Sequence, residues 1–310
     1  MTCADRQIEE NGLNGKRIKT EMRGSIPSSR FLQALTLGLS LLMCVGVVQA
    51  ANTPIPHGTL ELIAESQWIA AGHAFYLGLH FQLEKGWHIY WSNPGDSGEP
   101  PRVTWHLPAG LTAAPIEWPA PRRLGTSSIV DFGYDGAVML IVPMHAAASL
   151  AAQQPAQFGA DVKVLVCREI CIPGKAQLTL ALPVKSQQPP AADARTTDLF
   201  ATTRRSLPQA PPRNARFLVD DTNGSFVLTA NLGHQITQAI FFPIAESQID
   251  NAAPQKLEPL ATGCRLTLRK SDQLLKPIEQ LRGVLVLSAE RAYLIDAPLS
   301  KSGAAQKPSR

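Results

Sequence analysis

The feature that most restricts the fold is an alternation of apolar and other residues between positions 75 and 84. The two alternating sets are Phe75, Leu77, Leu79, Phe81 and Leu83 against Tyr76, Gly78, His80, Gln82 and Glu84. Successive side chains of a strand point to opposite faces of a sheet. This pattern therefore predicts a β-strand with one buried face.

The same alternation, or a short apolar run, recurs along the rest of the chain. Further strands are predicted near residues 103–107, 137–142, 162–166, 178–184, 226–232, 239–242, 266–268 and 284–286. Glycine, proline and asparagine residues fall between these segments, and the sequence offers no convincing long amphipathic helix. Short strands separated by turn-forming residues are typical of β-sandwiches. The predicted fold is all-β, a β-sandwich followed by a second, smaller β-sandwich.

The first 50 residues have the pattern of a cleaved export signal. Arg23 and Arg30 flank a short basic stretch, an apolar run follows from residue 31 to 48, and Val48-Gln49-Ala50 resembles a cleavage site. The residues before Met22 are polar and mixed in charge, which favours a true translation start at Met22. We predict an exported protein cleaved near Ala50, with a membrane helix as the alternative for the apolar run.

Proline-rich polar segments divide the remaining sequence. The predicted organisation is a signal peptide over residues 1–50, a first β-sandwich over 51–186, a linker over 187–213, a second β-sandwich over 214–298 and a disordered tail over 299–310. Within the linker, Leu199-Phe200 predict a short helix. The chain has 29 basic and 25 acidic residues. This near balance lacks the basic excess typical of proteins that bind nucleic acid or anionic membranes.

Three of the five cysteines remain after removal of the signal: Cys167, Cys171 and Cys264. An oxidising compartment allows a disulfide to persist, and an odd number leaves one thiol over. Cys167 and Cys171 are the obvious pair. Cys264 precedes a predicted strand, which favours a buried structural thiol over a reactive or metal-binding one.

The spacing of the pair restricts its local structure. A disulfide needs Cα atoms about 4.4–6.8 Å apart, whereas four residues of a straight strand span roughly 13 Å. The two cysteines therefore require a turn, bulge or loop. We predict a strand that ends near Val166, a break at Pro173-Gly174 and a new strand near Gln177, with the pair on the connection.

Three chemical interpretations of the pair remain open from spacing alone. It could be a redox-active dithiol, a structural disulfide, or a copper site, because thiolates suit soft copper ions and Cys-x-x-x-Cys before proline is similar to copper-chaperone motifs. Nearby, Trp87, Tyr90 and Trp91 form an aromatic patch for which core packing is favoured, and His88 is expected to be packed or hydrogen-bonded. No motif for a bound cofactor stands out.

Several motifs, in order, resemble the periplasmic N-terminal region of DsbD-type thiol:disulfide interchange proteins, with closer similarity to the ScsB branch linked to copper tolerance. They are residues 86–98 (GWHIYWSNPGDSG), 116–119 (IEWP), 132–134 (FGY), 164–173 (VLVCREICIP), 241–243 (FFP) and 249–252 (IDNA). The resemblance implies an immunoglobulin-like β-sandwich. It also implies that Cys167 and Cys171 are the exchanging pair.

In that family the pair relays electrons from a membrane-embedded partner to periplasmic thioredoxin-like proteins, including disulfide isomerases and a cytochrome c maturation protein. The resemblance thus implies an oxidoreductase component that is not self-sufficient for turnover and needs no cofactor. Full-length relatives continue into a membrane electron channel and a thioredoxin domain. We expect the membrane unit to be a separate chain, unless this chain is a truncated product. The family's aromatic cap over the cysteines implies shielding roles for Phe132 and Tyr134, with packing in the core as the alternative.

Overall fold

The computed structural model describes residues 52–125, 128–151 and 155–300. The predicted export signal, its cleavage near Ala50 and the predicted start at Met22 lie outside the described residues. The predicted tail lies outside them too, except for residues 299 and 300, which end the last strand.

Thirteen strands of the described chain precede its helix. They are β1 (Thr53–Ile55), β2 (Gly58–Ala64), β3 (Ile69–Ala70), β4 (Ala74–Leu83), β5 (His88–Gly95), β6 (Arg102–His106), β7 (Leu111–Ala113), β8 (Arg122–Gly125), β9 (Val130–Asp135), β10 (Ala137–Ala146), β11 (Ala156–Cys167), β12 (Cys171–Leu182) and β13 (Val184–Lys185). The predicted all-β class is confirmed.

These strands form two principal sheets that share one hydrophobic core. Within the described ranges, the first sheet has the order β1-β2-β4-β10-β7 and the second has the order β12-β11-β5-β9-β8, with β6 paired to β11. Leu79 and Phe81 of β4 belong to the same buried cluster as Phe158 and Val162 of β11. Successive side chains of a strand point to opposite faces, so only one face of the second sheet packs into this core. The opposite face of that sheet carries the cysteines.

A helix covers part of the outer face of the first sheet. Helix α1 (Ala194–Ser206) begins after Asp193, whose carboxylate accepts a hydrogen bond from the Thr196 amide, as an N-cap residue does. Its buried Phe200 packs with Ile63, Met139 and Ile141. The predicted short helix near residues 199–200 is confirmed. The helix also explains why His80, on the more polar face of β4, is only 5% exposed.

Seven strands follow the helix and enclose a second hydrophobic cluster. They are β14 (Arg216–Thr222), β15 (Ser225–Asn231), β16 (Ile240–Pro243), β17 (Lys256–Leu260), β18 (Gly263–Arg269), β19 (Gln280–Ser288) and β20 (Arg291–Ser300). In the part that the structure describes, their sheet order is β16-β19-β20-β14-β15-β18-β17. Leu228, Leu266 and Leu285 lie in this second cluster.

The two halves contact each other closely around β5. Asn93 donates a hydrogen bond from Nδ2 to the Pro243 carbonyl at 2.8 Å, and Asn251 donates from Nδ2 to Asp96 Oδ1 at 2.8 Å. Phe242, from the C-terminal half, belongs to the core cluster of the N-terminal half. The division into two domains with a linker over residues 187–213 stays a prediction.

Candidate functional site

The two cysteines close a β-hairpin. β11 and β12 pair in antiparallel register from Ala156 opposite Leu182 to Cys167 opposite Cys171. The turn contains three residues, and the Arg168 amide donates a hydrogen bond to the Ile170 carbonyl at 3.1 Å. Directly opposite residues of an antiparallel pair are close enough for their side chains to meet. The Cα atoms of the cysteines are 4.1 Å apart, and the sulfurs form a disulfide of 2.03 Å.

The predicted turn between the cysteines is confirmed, but the predicted break at Pro173-Gly174 is wrong. Pro173 pairs with Leu165 and Gly174 with Val164, so β12 starts at Cys171 rather than near Gln177. β12 is an edge strand of its sheet. Proline is tolerated on an edge strand because its missing N–H need not reach a neighbour.

The two cysteines are not equally exposed. Cys167 is 2% exposed, whereas Cys171 is exposed at the end of the hairpin. Ile170, in the turn between them, is 64% exposed. An attacking thiolate must reach a sulfur in line with the bond that breaks. The arrangement therefore favours attack on Cys171, with Cys167 as the leaving group.

The strand register places a defined set of residues on the disulfide face. Cys167 pairs with His88 of β5, His88 pairs with Asp135 of β9, and Tyr90 pairs with Gly133. Residues that are directly opposite share a face, as do residues two apart along a strand. The disulfide, His88 and Tyr90 therefore lie on one face of the second sheet, while the residues between them point into the core.

Tyr90 contacts the exposed sulfur. Its hydroxyl lies 3.5 Å from Cys171 Sγ, within the range of a weak hydrogen bond. Its ring packs so tightly on Gly98, which has φ +81°, that a Cβ at Gly98 would lie 2.1 Å from the ring. Burial raises the pKa of the Tyr90 hydroxyl, so this group remains a proton donor at neutral pH.

His88 and Asp131 form a buried pair beside the disulfide. His88 Nε2 lies 3.8 Å from Asp131 Oδ2, and the other Asp131 oxygen accepts a hydrogen bond from Ser97 Oγ at 2.8 Å. Burial lowers the pKa of His88, although Asp131 and Asp135 oppose the shift. Burial raises the pKa of Asp131, while Ser97 and His88 oppose that shift. Both groups are thus biased towards their neutral forms.

A stack of side chains holds the first residue of the turn. The Arg168 guanidinium lies 5.2 Å from the centre of the Trp87 ring, a cation–π distance. The His57 ring stacks on Trp87 with centroids 3.6 Å apart, and His57 Nδ1 lies 2.8 Å from Glu84 Oε2. These contacts hold the side chain of the residue that follows Cys167 in the chain. A recess lined by Gly86, His88, Leu124, Gly125, Asp135 and Arg168 opens beside it.

Comparisons with known proteins relate part of this chain to one family. The family model of the N-terminal region of thiol:disulfide interchange protein DsbD matches residues 60–183. This range includes the hairpin and the strands of both principal sheets except β1 and the first two residues of β2. Residues 60–183 belong to the DsbD N-terminal family. A search of curated proteins found no significant match.

The fold of this DsbD N-terminal domain also has a solved counterpart. The N-terminal periplasmic domain of ScsB from Proteus mirabilis aligns with a TM-score of 0.59 at 17% identity, over 81% of this chain and 99% of that chain. The similarity confirms the predicted all-β, immunoglobulin-like fold. The periplasmic chaperone SfaE aligns with a TM-score of only 0.21, at 10% identity over 77% of this chain and 100% of its own. A score that low supports no inference.

Phe132 and Tyr134 do not contact the disulfide of the DsbD N-terminal domain in this structure. Tyr134 pairs with Ile89, so both rings lie on the core face of β9. The Phe132 ring packs edge-to-face on Phe242 with centroids 5.0 Å apart, and the Tyr134 hydroxyl donates to the Pro119 carbonyl at 2.7 Å. A shielding role for these two residues stays a prediction.

Sequence reasoning did not assign Tyr90 to the site of this DsbD N-terminal domain. Tyr90 is buried, at 0% exposed, but it lies on the disulfide face rather than in the core between the sheets. A signal was present, because His88 and Tyr90 are two residues apart and a strand places them on one face. What the sequence lacked was the pairing of that strand with the hairpin.

The third cysteine of the described residues, Cys264, lies in the C-terminal half, away from the pair. Cys264 forms no disulfide with another described residue and is fully buried in the second cluster, where burial raises its pKa. Among the described residues, no group of three or more His, Cys, Asp or Glu side chains is arranged to hold a metal ion. Over the same residues, no helix has the length and apolar character to span a membrane.

Proposed function

We propose that this protein is an exported thiol–disulfide exchange module of the periplasm. Cys167 and Cys171 would relay electrons between a membrane electron-transfer protein of the DsbD/ScsB type on a separate chain and periplasmic thioredoxin-like proteins. The observation that carries the proposal is a disulfide between a buried and an exposed cysteine at the tip of a hairpin in a DsbD N-terminal domain. The pathway could be disulfide isomerisation, cytochrome c maturation or copper stress.

The exchange proceeds in two balanced steps. A thiolate of the partner attacks Cys171 Sγ, a mixed disulfide forms, and the bond to Cys167 breaks with its electron pair on the Cys167 sulfur. The second thiolate of the partner then attacks the partner's own sulfur in the mixed disulfide and releases Cys171 as a thiolate. Two electrons have moved to this protein, and the partner is oxidised. The same steps in reverse reduce a downstream partner.

The surroundings of the pair favour this chemistry. The Tyr90 hydroxyl can stabilise a thiolate at Cys171 because a hydrogen bond to a charged group is stronger than one to a neutral group. The guanidinium of Arg168 adds positive charge at the residue that follows Cys167 in the chain. A closed loop this short removes little entropy from the unfolded chain. Stabilisation of the fold is therefore a weak reason for the disulfide.

Trapping of a mixed disulfide tests the proposal. In a Cys264→Ala background, Cys167→Ala leaves the exposed thiol and Cys171→Ala leaves the buried one. We expect the Cys167→Ala protein to form a stable mixed disulfide with a thioredoxin-like partner, and the Cys171→Ala protein to form little. Equal trapping by both variants, or by neither, would exclude attack at Cys171.

Two further measurements distinguish the other interpretations of the pair. A reduction potential well below about −300 mV would indicate an inert structural disulfide. Stoichiometric binding of Cu(I) to the reduced protein that is lost in each single cysteine variant would indicate a copper site. Under the proposal, the potential is less negative and each single variant changes exchange rather than copper retention.

A further inference from the structure

One ring nitrogen of His88 is buried without a hydrogen-bond partner among the described residues. His88 is 7% exposed, and among the described residues its Nε2 atom has no hydrogen-bond partner. The nearest carboxylate oxygen, on Asp131, is 3.8 Å away, too far for a hydrogen bond. Buried polar atoms are normally paired. The unpaired nitrogen belongs to a side chain on the face of the sheet that carries the disulfide.

The strand next to β5 carries one of the two reactive sulfurs opposite His88. His88 and Cys167 are directly opposite each other in the antiparallel register of β5 and β11, so their side chains leave the same face. Cys167 is also buried. When the disulfide opens by attack at Cys171, negative charge develops on the Cys167 sulfur in a site that water hardly reaches. A buried charge without a partner is costly, so the sulfur requires a proton or a cation.

Charged and titratable groups face His88 from its own strand, from β9 and from the hairpin: Tyr90, Asp131, Asp135, Cys167 and Arg168. Asp135 is paired with Arg122 at 2.8 Å and both side chains are largely exposed. Arg168 is held on the Trp87 ring. Asp131 is the buried carboxylate of the set, and it faces His88 directly.

We propose that His88, supported by Asp131, carries the proton that enters and leaves the Cys167 sulfur during exchange. As the disulfide opens, the imidazolium of His88 gives its proton to the departing Cys167 thiolate, leaving a neutral thiol and a neutral imidazole. As the disulfide forms again, the neutral imidazole takes that proton back while the Cys167 sulfur attacks. The electrons stay with the sulfurs, and the imidazole exchanges its proton with water through the recess beside Arg168. This assignment rests on the proposed function.

The proposal predicts a specific pH dependence. In the oxidised protein, burial lowers the pKa of His88, against the opposing effect of Asp131 and Asp135. Negative charge that develops on the Cys167 sulfur as the bond breaks opposes this effect of burial until the proton is transferred. The imidazolium is most abundant at acidic pH. Because burial lowers the pKa of His88, its contribution to opening grows with acidity below the ordinary histidine value of about 6.5.

In the experiment, dithiothreitol reduces the full mature chain at a series of pH values from 5 to 8. Tryptophan fluorescence monitors the rate of reduction at each pH. Each rate is divided by the thiolate fraction of dithiothreitol at that pH. The matched control is His80→Gln, because His80 is also buried, also lies 3.7 Å from a carboxylate and also has an unpaired ring nitrogen, but belongs to β4 of the other sheet. Dithiothreitol replaces the protein partner in this experiment. A negative result for His88 is therefore independent of whether a mixed disulfide with a partner can be trapped.

We expect the corrected rate of the wild type to rise as pH falls, and His88→Gln to remove the rise and slow opening about tenfold or more at pH 5. His80→Gln should keep the wild-type profile. Asp131→Asn should keep the rise but move it to lower pH, because loss of the Asp131 carboxylate lowers the pKa of His88 further. An unchanged profile in His88→Gln overturns the proposal. If that variant does not fold, an unmoved profile in Asp131→Asn overturns it.

Discussion

Replacement of Tyr90 by phenylalanine removes one oxygen atom from the site and keeps the buried ring. The hydroxyl lies 3.5 Å from Cys171 Sγ, and the ring packs on Gly98. The pKa of Tyr90 is raised by burial, so the group donates rather than accepts when Cys171 is a thiolate. The variant should therefore destabilise the Cys171 thiolate without disturbing the fold.

The size of the effect follows from the geometry. A hydrogen bond to a charged group contributes about 1.5–3 kcal/mol. The long contact and the exposure of Cys171 place this bond at the low end. Since one pKa unit corresponds to about 1.36 kcal/mol, Tyr90→Phe should raise the pKa of Cys171 by about one unit.

The assay requires a protein with Cys171 as its single thiol, Cys167→Ala with Cys264→Ala. Thiolate absorbance at 240 nm and the rate of alkylation by iodoacetamide are followed against pH, with and without Tyr90→Phe. Tyr134→Phe is the matched control, because this tyrosine is also buried and bonded but lies on the core face. It should lose about 1 kcal/mol of stability and leave the thiol unchanged. A Cys171 pKa that does not move in Tyr90→Phe would refute the assigned contact.

Three other substitutions test different parts of the structure. Phe242→Ala should lower the free energy of unfolding by about 3–5 kcal/mol, measured in urea, because it opens a cavity in the core; a loss below about 1 kcal/mol would contradict the packing. Gly98→Ala should displace the Tyr90 ring, slow mixed-disulfide formation and lower the melting temperature, and an unchanged exchange rate would argue against the ring position. Phe132→Ala should speed reaction of the reduced pair with small disulfides if Phe132 shields it; an equal rate would exclude the cap.

Acid should weaken the fold through its buried histidines. Burial lowers the pKa of His80 and His88 below that of the unfolded chain. The unfolded state thus binds protons first, and stability falls as pH drops below about 6.5. His80→Gln should flatten part of that slope in urea titrations from pH 7 to 5. An unaltered slope would show that His80 does not contribute.

Features that depend on residues close together in the chain could be predicted from the sequence. Alternation between residues 75 and 83 predicted β4, and the two cysteines, four residues apart, predicted a turn between them. Prediction failed where distant segments meet. Helix α1 covers His80 on a face expected to be polar, and Pro173 lies within an edge strand because no neighbour needs its N–H. Tyr90 lies some 80 positions from Cys171, and no periodicity relates them.

The site lies on one face of the second sheet, and the opposite face of the same strands packs in the core. Ile89 of β5, with Phe132 and Tyr134 of β9, is buried in the core, while His88, Tyr90 and Asp131 of the same strands face the disulfide. Any shift of these strands moves both sets together. Phe242 packs on the core side of β9, and a side chain of the C-terminal half bonds to the loop after β5. The C-terminal half thus stabilises the strands that position the groups around Cys167 and Cys171, although it contributes no residue that contacts the sulfurs among those described.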